Sequence, residues 1–228
     1  MPGILRAVRV RRFPLNWRPP GQCGFAAPGA RVKVPCVPEP ISTPAQTPAA
    51  SSVGAAPRRA LVTGGAQRLG REIALALGRA GWDIAVHFGR SEREALATVA
   101  DIQALGRHAV AVQADLADEA SVSALFDAAC ARLGGLDCVV NNASRFEPDR
   151  PETFAYAQLQ AHMAPNLAAP LLLARRLHAL HASRPETTTR RGVIVNVLDQ
   201  KLENLNPDFL SYTLSKAALH SATRMLAM

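Results

Sequence analysis

Residues 60–81 read ALVTGGAQRLGREIALALGRAG, and this stretch decides the fold. Residues 60–64 are a short apolar run that stops at glycine, the pattern of a buried strand. Residues 70–81 carry apolar side chains at helical spacing and end at Gly81. A strand, a glycine-rich turn and a helix in that order form the first unit of a doubly wound α/β sheet. In such a unit Gly64 and Gly65 let the backbone pass close to a pyrophosphate, and Gly70 lets the helix pack against the turn. The helix start supplies amide donors and partial positive charge. Such a turn is also plain structural punctuation in many chains. Arg68 stands out, because a long cation occupies a place usually kept bare.

The alternation continues downstream. Residues 83–88 (DIAVHF), 108–116 (HAVAVQADL), 136–140 (LDCVV) and 192–197 (GVIVNV) read as strands. Residues 91–106, 118–135, a long stretch from about 154 to 181, and residues from 211 onward read as helices. Ser91, with Glu94 three residues on, predicts a capping box for the second helix. Strands alternating with helices mean βαβ units and a parallel sheet covered on both faces, a Rossmann-type fold.

The net charge of +8 invites a nucleic-acid reading, but its location argues against one. Residues 1–59 hold nine of the 26 Lys and Arg and one acid, Glu39, which accounts for the whole excess. The remainder is balanced. Residues 1–57 are rich in Pro, Ala and Gly and show no period, so they read as a disordered basic leader, with residues 58–228 as the domain. A targeting peptide fits the Arg-rich, acid-poor composition, although the prolines oppose a transit helix. No apolar segment follows Arg11 and Arg12, which excludes a twin-arginine signal. No apolar run reaches the length of a membrane helix. The four cysteines form neither a C-x-x-C pair nor a zinc framework, and Cys138 reads as a small hydrophobe in a strand. A reducing, cytoplasmic setting is expected. His178 and His181 share a helix face, but no third ligand joins them, so a solvated face and no metal are expected.

The end of the second strand refines the cofactor. A site for NAD places Asp or Glu there for the ribose hydroxyls. Residues 87–91 read HFGRS instead, and Arg90 with Ser91 can hold a 2′-phosphate by charge-assisted hydrogen bonds. NADP(H) is the expected cofactor. Tyr212 and Lys216 lie four apart on a helix and share a face. An ammonium beside a phenol favours phenolate, so a lowered Tyr212 pKa and a proton-transfer role are expected.

Five motifs in order, VTGGAQRLG (62–70), ADL (114–116), NNAS (141–144), Asn166 and YTLSK (212–216), together resemble the short-chain dehydrogenase/reductases from about Arg59 to the end. The resemblance implies Tyr212, Lys216 and Asn166 as catalytic, with Asn166 holding a water in a relay with Lys216. It implies Gly64, Arg68, Leu69, Gly70, Arg90, Ser91, Asp115, Leu116, Asn142 and Ala143 at the cofactor, Asp115 at the adenine edge. The family usually carries Ser about a dozen residues before the Tyr, and here Asp199 stands in its place. Asp199 and Arg68 together resemble the pteridine reductase branch, as do His87 to Ser91 and the run from Asn141 to Phe146.

That branch implies a dihydropterin or dihydrofolate substrate, with Arg68, Ser144, Phe146, Asp199 and Tyr212 around it. Phe146 would stack on the heterocycle. Asp199 and Tyr212 would form a coupled pair, one member raised by burial to deliver a proton. Arg68 would bridge cofactor and substrate; the bland alternative is that Arg68 faces solvent and Asp199 caps the next turn. A 3-oxoacyl-thioester or general carbonyl reductase and a non-catalytic NADP-binding protein are the alternatives. Family members assemble as homodimers or homotetramers and continue through two more strands and a substrate-covering loop. The sheet is therefore expected to be incomplete at the C-terminus, and the chain ending at Met228 to fold poorly or turn over slowly.

Overall fold

The computed structural model describes residues 57–183 and 191–228. The expected leader lies outside the described residues, apart from Pro57. Five parallel strands form one sheet: β1 (Arg58–Val62), β2 (Trp82–Phe88), β3 (Ala109–Gln113), β4 (Cys138–Asn141) and β5 (Val193–Asn196), in the order β3-β2-β1-β4-β5. Helices α1 (Arg68–Arg79), α2 (Glu92–Ala104), α3 (Glu119–Leu133), α4 (Tyr156–Met163), α5 (Ala169–Ala182) and α6 (Leu210–Leu226) connect and cover it.

The two-residue period of the strands divides the core. Ala60, Val62, Ile84, Val86, Cys138 and Val140 point to one face, where Ala74 and Leu75 of α1 and Val99 and Ile102 of α2 pack. Leu61, Ala85 and Val139 point to the other, against Val122, Leu125 and Phe126 of α3 and Leu173 and Leu177 of α5. Strands buried on both faces explain why the sequence runs ALV, IAV and CVV without polar alternation. Burial, aided by the neighbouring Asp137 charge, pushes the Cys138 thiol up to about 12, so it behaves as a small hydrophobe.

Three local expectations are corrected. Ser91 stands at the N-cap of α2 but makes no capping bond; its φ of −92° and ψ of 61° leave the extended region from which a hydroxyl reaches the third amide. The long helix near 154–181 is interrupted by a π segment, Ala164–Ala168, which contains Pro165 and Asn166. His181 is not on a solvated face: it is buried, with Nε2 2.9 Å from the Leu136 carbonyl, while His178 is exposed.

Candidate functional site

The chain leaves β1 toward β2 on one side and later returns as β4 on the other. Ligands bind at such a switch point, beyond the carboxyl ends of the strands. The turn after β1 lies here. Gly64 adopts a φ of 61°, which glycine tolerates without strain. Its N–H donates to Nδ1 of His87 at 3.0 Å, and Nε2 of the same ring lies 3.2 Å from the Ala114 carbonyl. Accepting at one nitrogen and donating at the other makes His87 a neutral imidazole that ties the ends of three strands together. Burial lowers its pKa to about 4, against the pull of the Ala114 carbonyl.

Thr63 and Asn142 brace the turn from the other side. Thr63 Oγ1 accepts the N–H groups of Asn142 and Ala143 at 3.0 and 3.1 Å. Asn142 Nδ2 donates to the carbonyls of Thr63 and Gly64 at 3.0 and 3.2 Å. A Cβ on Gly70 would lie 2.0 Å from the Gly64 oxygen and 2.5 Å from Asn142 Nδ2, so only glycine fits. Arg68 has a φ of 50° and is the one non-glycine residue with positive φ among the described residues. The cation thus keeps the backbone shape of the glycine it replaces.

Two clefts of about 460 and about 900 Å³ open beside this turn and share Gly64, Gly89, Ala143 and Ser144. Arg68, Leu69, Gly70, Ser91 and Asn142 line the smaller. Arg90, Asp115 and Leu116 line the larger. All ten residues expected at the cofactor therefore border one or the other. The Asp115 carboxylate accepts the Ala117 N–H at 2.9 Å and shapes the loop into α3.

Asp199, Tyr212 and Lys216 converge at the end of β5. Tyr212 donates its hydroxyl to Asp199 Oδ2 at 2.6 Å, and Asp199 Oδ1 accepts the Lys201 N–H at 2.9 Å. Asp199 therefore caps the next turn and also engages the tyrosine. Lys216 Nζ donates to the Val197 carbonyl at 2.9 Å and lies 5.9 Å from the Tyr212 ring centre.

The titrations differ from expectation. The Tyr212 pKa is raised, by burial first and then by the Asp199 hydrogen bond and charge, against a smaller lowering by a Ser144 hydrogen bond. Burial pushes Asp199 up, but hydrogen bonds from Tyr212 and the Lys201 amide, with the charges of Lys201 and Lys216, outweigh it and hold it below the usual range. Burial lowers Lys216, opposed by the Asp199 charge. Burial and the carboxylate, not the ammonium, govern the tyrosine, which is why the lysine argument fails here.

Asn166 is buried, and its side chain is fully engaged by protein. Its Oδ1 accepts from Ser144 Oγ at 3.2 Å and the Arg145 N–H at 2.8 Å; its Nδ2 donates to the Arg145 carbonyl at 3.0 Å and Ser215 Oγ at 2.9 Å. The side chain shapes the loop after β4 rather than reaching Lys216. Pro170, four residues on, has no N–H, so the Asn166 carbonyl lacks its α-helical donor.

Phe146 stacks on Phe209, with centroids 4.3 Å apart and planes 7° apart, and meets Tyr212 edge-on at 4.6 Å. Lys201 Nζ lies 4.5 Å from the Phe209 ring centre on this stack. The sequence reading missed Phe209, Lys201 and the buried His162, whose ring lies 6.5 Å from that of Tyr212. Position alone, three residues before the tyrosine, could have suggested Phe209; nothing in the pattern marked His162. Among the described residues no group of three His, Cys, Asp or Glu is arranged to hold a metal. No described helix is long and apolar enough to cross a membrane.

The short chain dehydrogenase family matches the chain over residues 58–228. Hydroxynaphthalene reductase arp2 of Aspergillus fumigatus is 34% identical over 171 residues, which is 74% of this chain and 59% of that protein. The 3-oxoacyl-[acyl-carrier-protein] reductase FabG of Staphylococcus aureus is 41% identical over 86 residues, 38% of this chain and 35% of that protein. Among solved structures, the FolM alternative dihydrofolate reductase 1 of Brucella canis, complexed with NADP, is similar with a TM-score of 0.67 and 40% identity, over 75% of this chain and 67% of that one. The chain thus spans about three fifths of the length of the first of these relatives.

Proposed function

Because the chain belongs to the short-chain dehydrogenase family, we propose that it is an NADPH-dependent reductase of a flat, N–H-rich heterocycle of the dihydropterin or dihydrofolate type. The observation that carries the substrate class is Asp199 against the Tyr212 hydroxyl. A serine in this place donates to a carbonyl oxygen. An ionised carboxylate only accepts, so it repels a ketone oxygen and attracts N–H groups. The FolM structure, similar to this chain, is that of an alternative dihydrofolate reductase.

NADP(H) fits the residues present. The cradle at Gly64 and Gly70 admits no side chain, the first turn of α1 carries no acid, and Arg90 and Ser91 replace the acid that would receive ribose hydroxyls. When bound, it supplies hydride. Arg68, Leu69, Asn142, Ala143, Asp115 and Leu116 are proposed to line its site. Tyr212 keeps its proton at neutral pH, donated to Asp199, and is proposed to turn it from that carboxylate to the substrate nitrogen. Asp199 orients that hydroxyl, and Lys216 offsets negative charge as the proton leaves. The Asn166 carbonyl, which meets no N–H four residues on at Pro170, is proposed to hold the relay water. Ser144 and Phe146 flank the substrate, and Arg68 reaches it from the turn.

Ketone reduction is a second reading. The Ser144 hydroxyl, turned from Asn166 toward the substrate, would polarise a carbonyl. Assembly as a cytoplasmic homodimer or homotetramer is part of the proposal, supported by Leu171 on α5 and Leu214, Met225 and Leu226 on α6, all exposed. The test is NADPH oxidation by the purified chain, with a dihydropterin in one cell and a 3-oxoacyl thioester in the other. Turnover with the pterin alone supports the reading. Turnover with the thioester alone refutes it.

A further inference from the structure

Among the described residues, Asp149 is one of three buried carboxylates, with Asp83 and Asp137, that take no part in the chemistry proposed above. Asp149 sits on the loop after β4 and is 7% exposed. Its Oδ1 and Oδ2 lie 2.9 and 3.2 Å from the Ser211 N–H, and Oδ2 also accepts the Ser211 hydroxyl. The two backbones join as well. The Asp149 N–H donates to the Asp208 carbonyl at 3.1 Å, and the Leu210 N–H to the Asp149 carbonyl at 3.2 Å. Arg150 Nε and Asp208 Oδ1 form an ion pair at 2.8 Å beside them.

Helix α6 needs this help. Its own N-cap residue, Phe209, has no side-chain acceptor, so the first N–H groups of the helix would go unpaired. A carboxylate 62 residues away supplies the cap and sits at the positive end of the helix dipole. A local Ser or Asp at position 209 would cap equally well. The remote cap does something a local one cannot: it fixes the start of α6 to the loop that carries Ser144 and Phe146. That loop is anchored elsewhere too. Asn166 holds both backbone polar groups of Arg145, and His162 Nε2 accepts the Glu147 N–H at 3.3 Å. Tyr212, the residue after Ser211, then meets Phe146 edge-on and Asp199 through its hydroxyl.

We propose that Asp149 is a positioning residue that couples the Ser144–Phe146 loop to the start of α6 and thereby sets the Tyr212 hydroxyl against Asp199. The inference rests on the reading of Tyr212 as proton donor, but its test needs no substrate. The chain has two tyrosines, and Tyr156 is 73% exposed, so it serves as an internal reference. Alkaline titration of the full chain by tyrosinate absorbance reads both. Asn at position 149 keeps the shape but loses the charge at the helix start and puts an NH2 donor in place of one of the two oxygens that face the Ser211 N–H.

Asp149→Asn should lower the midpoint of the buried tyrosine by about one pH unit as its hydroxyl leaves Asp199, with Tyr156 unmoved. Ser211→Ala, which keeps the backbone cap, should lower it by less. NADPH affinity, set by the turn after β1, should stay within about twofold in both variants, a difference of ~0.4 kcal/mol. An unmoved midpoint in a folded Asp149→Asn chain overturns the proposal. If that variant does not fold, an unmoved midpoint in Ser211→Ala does the same. A wild-type chain that shows the high midpoint yet turns over no pterin would count against the substrate reading alone.

Discussion

The Tyr212 hydroxyl lies 2.6 Å from Asp199 Oδ2, and this contact adds to burial in raising a tyrosine that the lysine spacing was expected to lower. The acceptor and its negative charge both favour the phenol over the phenolate. Removing them leaves burial as the one remaining cause that raises it. In Asp199→Ala the Tyr212 midpoint is expected to fall, while exposed Tyr156 stays in place. The wild-type sign follows: a tyrosine raised in the folded state stabilises it fully below the unfolded value, and that stability is lost as pH rises through the folded value. Spectrophotometric titration of both chains checks this. A midpoint that does not fall in the variant would mean that burial alone raises the tyrosine.

The buried His87 ring predicts an acid-side dependence. Its pKa is near 4 when folded and 6.5 when free. Between these values the unfolded chain binds more protons, so stability falls as pH drops through that window and is fully present above it. The difference amounts to about 3 kcal/mol. His87→Gln, which keeps an acceptor for the Gly64 N–H, should flatten the pH dependence of the melting temperature between about pH 6.5 and about pH 4. Equal slopes in the two chains would assign the acid sensitivity to other groups.

Much of this was legible in the sequence because it rests on local pattern. Strand runs such as ALV and CVV, the helical spacing after Gly70, and Tyr212 and Lys216 four apart depend on periods that neighbouring residues set. The rest depends on contacts between distant segments. The pairing of Asp199 with Tyr212 was expected from the resemblance, but nothing near Tyr212 announced that hydrogen bonds would hold the carboxylate low while the phenol rose. Nothing near Asn166 announced that its amide would be spent on Arg145 and Ser215. Asp149 was invisible for the same reason, although one signal was available: Phe209 cannot cap a helix, so the start of α6 had to be satisfied from elsewhere.

Gly70 gives a steric prediction. A methyl group there meets the Gly64 carbonyl oxygen and the Asn142 amide, both parts of the braced turn rather than the free end of a flexible chain. The turn must shift. Gly70→Ala should lose about 1–3 kcal/mol of stability by overpacking and weaken NADPH binding more than tenfold, or ~1.4 kcal/mol. Thermal melting and NADPH fluorescence titration read the two effects separately. Unaltered NADPH binding would remove the turn from the cofactor site.

Arg68 supplies the cleanest test of the turn's unusual cation. At a φ of 50° an arginine carries left-handed strain of roughly 1–2 kcal/mol, which glycine would relieve. Glycine in turn loses about 0.5–1 kcal/mol through greater freedom in the unfolded chain. The two effects nearly cancel, so Arg68→Gly should melt within a few degrees of the wild type. Any loss of binding then reflects the missing guanidinium rather than a damaged fold. If the cation reaches the substrate from the turn, dihydropterin affinity should fall more than NADPH affinity. Substrate KM and NADPH titration on the same preparation decide it. The reverse order would confine Arg68 to the cofactor, and unchanged values for both would leave it facing solvent.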